Sequence, residues 1–290
     1  MDIVQPFQID GLAARGRLVR LGGALDQALA AHNYPTPVAD LLAETMVLAA
    51  TLSSLLKYDG IFTLQAQGDG PIRLLMADLT SDGEIRACAQ FDADRVAAQI
   101  AGSGDSVPHF MGAGHLAFTV DQGPDTERYQ GITELTGATM SDCAHTYFRQ
   151  SEQMETAVVL IARTADKTAR AGALMIQRLP TSSDQDEDAW RRAVALMSSV
   201  KEAELLNPDL TPGELLYRLF HEDGVRLFEP RPLNHACRCS RERVVRTLAS
   251  FPRAEIESLA DDGEISMTCE FCGTRYGFFE RELDKLFEAG

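Results

Sequence analysis

The sequence predicts an α+β fold in three pieces: a mixed α/β core domain over residues 1–178, a helical linker over 179–232, and a small C-terminal metal-binding domain over 233–290. Three observations carry this reading. Short runs of alternating polarity between turn signatures fill the first piece, and two proline-bounded amphipathic helices fill the second. Four cysteines in two close pairs mark the third.

In the core, residues 40–57 place Leu41, Leu42, Leu48, Ala49, Leu52, Leu55 and Leu56 at helical spacing, which predicts a helix with a wide buried face. Residues 61–67 alternate as a strand, Gly68-Asp69-Gly70-Pro71 turns the chain, and residues 72–76 return as its partner. Residues 84–91, 115–120 and 157–162 read as further strands and 140–150 as a helix. Residues 171–179 read as the strand that closes the sheet.

The linker opens where Pro180 breaks the core. Asp184, Asp186, Glu187 and Asp188 make an acidic helix start, and Trp190, Val194, Met197 and Val200 share one face. Thr211-Pro212-Gly213-Glu214 is a capping box with proline at the first helical position. It opens a second helix carrying Leu215, Leu216, Leu219 and Phe220. Helices this short do not persist alone, so each needs a folded neighbour.

The C-terminal piece carries Cys237-Arg238-Cys239, then 29 residues, then Cys269-Glu270-Phe271-Cys272. In an extended segment residues i and i+2 face one side, so Cys-x-Cys presents two sulfurs together. Cys-x-x-Cys does the same from a tight turn, and Gly273 directly after it supplies the backbone freedom. Zinc takes four tetrahedral ligands and suits soft thiolates, so Cys237, Cys239, Cys269 and Cys272 are the predicted ligands of one structural Zn²⁺. A piece of 58 residues is small for a core of its own, which makes a metal staple physically sensible. Around the cysteines, Ser240 caps a helix running to about residue 250 and Pro252 starts another. Asp262-Gly263 turns into a strand at 264–267, residues 274–279 return, and 280–289 form a closing helix.

Composition narrows the function. Hydrophobic residues make up 45%, enough for a packed core. The N-terminus shows no signal peptide, and the longest apolar stretch, around residues 45–56, is too short and too rich in Thr and Ser to cross a bilayer. The expectation is a cytoplasmic protein without a membrane partner, whose thiols stay reduced. A net charge of −16 disfavours nucleic acid as a partner. The local cluster Arg238, Arg241, Arg243 and Arg246 is read instead as offsetting thiolate charge.

Four thiolates leave no coordination position for water, so the metal is read as structural. His235 is read as a surface histidine beside the site and His221 as a solvated helix-end residue. Cys88 and Cys143 are isolated among apolar or small neighbours and are read as buried inert thiols. His32, His109, His115 and His145 show no ligand spacing. The glycine-rich runs at 102–104 and 112–114 lack a phosphate-loop ending. Nothing marks an active site, and the chain is not expected to be an enzyme. The alternative is a dithiol-disulfide oxidoreductase using Cys269 and Cys272. The turn-and-strand residues after Cys272 weigh against it, since that chemistry usually sits at a helix N-terminus.

The chain resembles the bacterial redox-regulated 33 kDa chaperonin family, heat-shock protein 33, over nearly its whole length. Beside the Cys-x-Cys and Cys-x-x-Cys pairs, the matching motifs include Cys237-Arg238-Cys239-Ser240-Arg241-Glu242-Arg243 and Asp262-Gly263-Glu264-Ile265. In the core they are Gln67-Gly68-Asp69-Gly70-Pro71, Glu127-Arg128-Tyr129-Gln130-Gly131 and Tyr147-Phe148-Arg149-Gln150-Ser151-Glu152-Gln153. The resemblance implies an ATP-independent holdase of the stress response that binds unfolded or misfolded client proteins. Reduced and zinc-bound, such a protein is nearly inactive. Oxidants pair Cys237 with Cys239 and Cys269 with Cys272, zinc leaves, and the C-terminal domain and linker unfold. The active form is then a homodimer. On this reading the linker helices lose a packing partner when the zinc domain unfolds.

Overall fold

In the computed structural model, which describes residues 1–100, 102, 106–123, 126–149, 154–165, 168–179, 187–258, 260 and 263–279, the alternating runs of the first piece become two sheets. The chain divides into two units, Met1–His235 and Ala236–Gly290.

The first unit begins with the hairpin of β1 (Ile3–Ile9) and β2 (Ala14–Leu21), followed by α1 (Gly23–Ala30) and the long α2 (Thr36–Ser53). A meander of β3 (Ile61–Gly68), β4 (Ile72–Thr80) and β5 (Glu84–Phe91) leads to the short α3 (Ala93–Ile100) and α4 (Ser106–Phe110). Then come β6 (Gly114–Asp121), β7 (Tyr129–Glu134), α5 (Met140–Tyr147), β8 (Thr156–Arg163) and β9 (Arg170–Arg178). The linker adds α6 (Glu187–Ser198), α7 (Glu202–Leu205) and α8 (Pro212–Phe220). Three very short strands follow: β10 (Val225–Leu227), β11 (Arg231–Pro232) and β12 (Asn234–His235).

One sheet runs β10-β1-β2-β9-β8, with β11 also pairing β1; the other runs β12-β5-β4-β3-β6-β7. Between them lies α2, which packs against strands of both. It is buried nearly all round, as a helix without a polar face must be. Its internal hydroxyls are satisfied locally, Thr45 donating to the Leu41 carbonyl at 2.8 Å and Thr51 to that of Val47 at 2.7 Å. The helix begins and ends four residues earlier than its periodicity suggested. Arg17 stops it, donating to the Ser54 hydroxyl and carbonyl at 3.1 and 3.4 Å.

The first sheet is covered on both faces, so β9 reads as a largely apolar run between its terminal arginines. Val19, Leu21, Ala173 and Met175 face α2, whereas Leu18, Leu174 and Ile176 turn outward. Against that outer face lie the linker's Trp190, Met197, Leu205, Leu216 and Phe220. The sequence reading tied the linker helices to the zinc domain as a packing partner. The structure gives their apolar faces to this sheet, because its outward leucines and isoleucines need cover as much as the helices do. Two further expectations shift with it. Strand β9 lies inside the sheet between β2 and β8 and closes nothing, and the linker carries strands as well as helices. Of the acidic helix start, Glu187 and Asp188 form the first turn of α6, while Asp184 and Asp186, the end of the motif at 150–153 and the closing helix at 280–289 lie outside the described residues.

One buried acid in α2 makes stability depend on pH. Burial, and then the neighbouring Asp40 carboxylate, push Glu44 up to about 7, and its buried Oε2 has no hydrogen-bond partner among the described residues. A carboxyl raised by folding binds more protons folded than unfolded between pH ~4.5 and ~7, so its favourable contribution fades as pH rises through that window. Glu44→Gln removes the penalty. The variant is expected to melt above the parent at pH 8, by up to about 3 kcal/mol of stability, and close to it at pH 4.5. Thermal melts across that range check it.

The second unit is a small α+β module of α9 (Arg241–Leu248), α10 (Arg253–Ser258) and the hairpin β13 (Glu264–Thr268) with β14 (Arg275–Phe279). As expected, Ser240 caps α9, its hydroxyl accepting from the Arg243 N–H at 3.3 Å. Among the described residues the core of this unit is Leu248, Ile256, Ile265 and Phe278.

Candidate metal centre

Local backbone chemistry places the two cysteine pairs. Thr268 pairs with Arg275 at the end of the hairpin, so residues 269–274 form its loop. The loop closes on itself: the Cys269 N–H donates to the Thr274 carbonyl at 2.9 Å and the Gly273 N–H to the Cys269 carbonyl at 2.8 Å. Gly273 takes φ +69°, a left-handed conformation that L side chains disfavour. Cys237 and Cys239 come from the irregular segment ahead of α9, one residue apart.

The two pairs converge. Cys237 Sγ lies 3.7 Å from Cys269 Sγ, and Cys239 Sγ lies 3.4 Å from Cys272 Sγ. All four sulfurs lie within 4.8 Å of one another, a set that could hold a metal ion. Four ligands at about 2.3 Å around a tetrahedral centre stand about 3.8 Å apart, so the observed spacing fits a thiolate-bound metal. His235 is not in this set; it lies in β12, paired with β5, and burial lowers its pKa.

The cluster holds both a stabilised thiolate and resistant thiols. Burial opposes ionisation of Cys272, but hydrogen bonds from the Thr274 hydroxyl and backbone and from neighbouring thiols outweigh it and bring the group down to about 6. Burial, only partly offset by the Tyr276 hydroxyl 3.1 Å away, pushes Cys239 up to about 12. Cys269 is also raised, chiefly by burial, against backbone N–H groups of Cys272 and Phe271 that favour its thiolate. Four such neighbours ionise together only with a cation among them, so metal binding would release protons. The sequence reading missed Thr274 and Tyr276 as donors to sulfur; a hydroxyl two residues after the last cysteine is the signal that could have found the first. It also assigned the arginines differently. Arg241 stacks over Phe278, 4.3 Å from the ring centroid, and donates to the Gly277 carbonyl.

The remaining candidates stay apart. Cys88 is buried in β5 and Cys143 in α5, where burial and then Asp142 push its thiol up to about 12. His145 bridges α5 to the Thr156 and Val158 carbonyls, His109 lies 2.9 Å from the Gln99 carbonyl, and His221 caps α8. Replacing Cys88 or Cys143 by serine is therefore expected to leave any oxidant response of the chain intact. Loss of that response in either variant, followed by thiol titration, would place redox chemistry outside the four clustered sulfurs.

The fold is thus a two-sheet α+β unit followed by a small unit with four clustered cysteines that could hold a metal ion. The chain belongs to the Hsp33 family, whose model matches residues 2–279. It is 43% identical to the 33 kDa chaperonin of Caulobacter vibrioides over 95% of this chain and 94% of that one. Against the 33 kDa chaperonin of Azotobacter vinelandii it is 39% identical over 100% of this chain and 95% of the relative. The crystal structure of the 33 kDa chaperonin (heat shock protein 33 homolog) of Thermotoga maritima shares the fold with a TM-score of 0.83. That likeness has 22% identity and spans 99% of this chain and 98% of the other. Among the described residues, no helix is long and apolar enough to cross a membrane.

Proposed function

We propose that this chain is a redox-regulated, ATP-independent holdase of the cytoplasm that protects unfolding proteins from aggregation during oxidative stress. The observation that carries the reading is the convergence of four sulfurs in a unit whose buried apolar core, among the described residues, is four side chains. Such a unit depends on its metal for folding, so its thiols control its order. In the reduced state Cys237, Cys239, Cys269 and Cys272 hold one Zn²⁺, which supplies cross-linking of the two segments and no catalysis.

Oxidation pairs Cys237 with Cys239 and Cys269 with Cys272, as the family resemblance implies. Each pair of thiols gives up two electrons and two protons, and one hydrogen peroxide takes them to become two waters. Sulfurs so paired no longer serve as thiolate donors, and residues 233–290 lose their order. Strand β12 directly precedes Cys237, so unfolding there frays the linker from its C-terminal end. Residues 179–232 then separate from the core, and the exposed faces of linker and sheet bind clients. Residues 1–178 carry client binding and dimerisation of the oxidised form. Neither nucleic acid nor membrane is a partner, and the chain is not an enzyme.

Catalytic disulfide exchange at Cys269 and Cys272 is the weaker reading, since that pair sits in a hairpin loop without a helix dipole behind it. One experiment tests both. Metal content, X-ray absorption and light-scattering protection of a denaturing client are measured before and after peroxide at raised temperature. The expected result is a four-sulfur zinc shell at about 2.3 Å in the reduced protein, and stoichiometric protection only after oxidation. A nitrogen in the shell would overturn the ligand set, and catalytic turnover of client disulfides would favour the oxidoreductase.

A further inference from the structure

Two core motifs singled out in the sequence take no part in the proposed switch: Glu127 to Gly131, and the run that begins at Tyr147. The structure brings them together. Tyr129 from the first and Tyr147 and Phe148 from the second join Phe62 and Phe118 around a cavity of about 140 Å³ within the first unit. Phe118 is the hub. Its ring centroid lies 5.7 Å from that of Tyr129, 5.0 Å from Tyr147 and 5.9 Å from Phe62. Gly131, opposite Phe118 across the strand pair, makes the arrangement possible, because a Cβ there would come within 2.4 Å of the Phe118 ring.

The cavity has one polar end. Arg15 and Gln177 line it, the Arg15 Nε donating to the Gln177 Oε1 at 2.9 Å, and Gln177 is 1% exposed. The bond fixes the plane of the guanidinium and leaves its Nη groups without a partner among the described residues. Arg15 is the arginine that lines the cavity, and its charge acts on Arg17, two residues along β2 and outside the lining. Arg17 is held down to about 10 by burial and then by the charges of Arg15 and Arg231. Among the described residues, none of these three arginines has a carboxylate at ion-pair distance, in a chain of net charge −16.

An aromatic cluster alone would be ordinary core. This one leaves space unfilled, keeps Tyr129 57% exposed at its edge, and sets a guanidinium with no carboxylate at ion-pair distance among the described residues beside apolar walls. A cavity of about 150 Å³ accommodates one benzene ring, and an arginine fork matches a carboxylate. We propose that this cavity is a binding site for a small aromatic carboxylate, its ring held between Phe118, Tyr129 and Tyr147 and its carboxylate on Arg15. The site is independent of the redox reading, since its residues lie in the first unit and take no part in the thiol chemistry.

The test is calorimetric titration of the full-length reduced chain with phenylacetate and with its neutral counterpart 2-phenylethanol, alongside thermal melts. Phenylacetate is expected to bind and raise the melting temperature, and 2-phenylethanol to bind about tenfold more weakly or worse. Arg15→Gln, at a half-exposed position, should lose about tenfold or more for phenylacetate and little for the alcohol. Tyr129→Ala, at the exposed edge, should weaken both. The inference is overturned if phenylacetate gives neither heat nor stabilisation at millimolar concentration. Equal binding of the alcohol, or undiminished binding by Arg15→Gln, would overturn it as well.

Discussion

A Phe220→Ala variant is expected to suppress client aggregation in reducing buffer, with its thiols and metal content unchanged, where the parent chain does not. Phe220 is fully buried in α8 and stacks on Phe7 of β1 with ring centroids 6.2 Å apart. Truncating a buried phenylalanine costs about 3–5 kcal/mol. Here the loss falls on a nine-residue helix that does not persist alone, so it is paid in local undocking before global unfolding. Polar anchors remain: Arg20 donates to the Glu204 carbonyl at 3.0 Å and to that of Leu210, and Gln5 to that of Phe228 at 2.6 Å. They hold α7 and the return strands, and Arg178 of β9 holds the start of α6 by donating to Glu187 at 3.0 Å, so the undocking falls chiefly on α8. Hydrogen exchange over residues 187–220 reports the undocking, and light scattering reports the activity. Fast exchange without protection of a client would separate linker release from chaperoning and remove the central step of the proposed mechanism.

Loss of metal is expected to produce the other large effect, beginning in the second unit and spreading to the linker. Structural zinc contributes roughly 10–16 kcal/mol to small domains, far more than the small buried core seen among the described residues of this unit supplies. Chelation, or Cys239→Ser, should therefore make residues 236–290 protease-sensitive in reducing buffer. Residues 1–178 should melt in a separate, nearly unchanged transition, while hydrogen exchange over residues 187–232 speeds up as the linker frays. A second unit that resisted protease without its metal would show that its core suffices, and oxidation would then lack a structural consequence.

The cysteine site was legible in the sequence because spacing alone decides which sulfurs can meet. The Thr211 capping box and the 264–279 hairpin were legible for a similar reason, since their signals are local. Strand β1 was hidden by Pro6 at its centre, which argues against an inner strand. Strands β10, β11 and β12 are three, two and two residues long, too short for alternation to register. The linker's docking surface was unreadable in kind. An amphipathic face announces that something covers it, and only the outward Leu18, Leu174 and Ile176 of the first sheet say what. Tyr276 was missed because its pairing opposite Met267 in the hairpin, rather than its spacing, brings it to Cys239.

The position of Pro6 bears on what happens to β1 once its neighbours leave. β10 pairs with residues 7–9 of this strand and β11 with residues 3 and 4, and the gap between them is bridged by the Phe228 N–H donating to the Pro6 carbonyl. If the linker detaches, β1 becomes the rim of the sheet, with a row of open backbone donors and acceptors that a second chain could extend. An unprotected rim beside a newly bared apolar face is a template for fibrous self-assembly. Proline at its midpoint withholds one donor and limits any added strand to a few residues on either side. The same residue that concealed the strand from sequence patterning thus lets a sticky surface open without the molecule polymerising along its own edge.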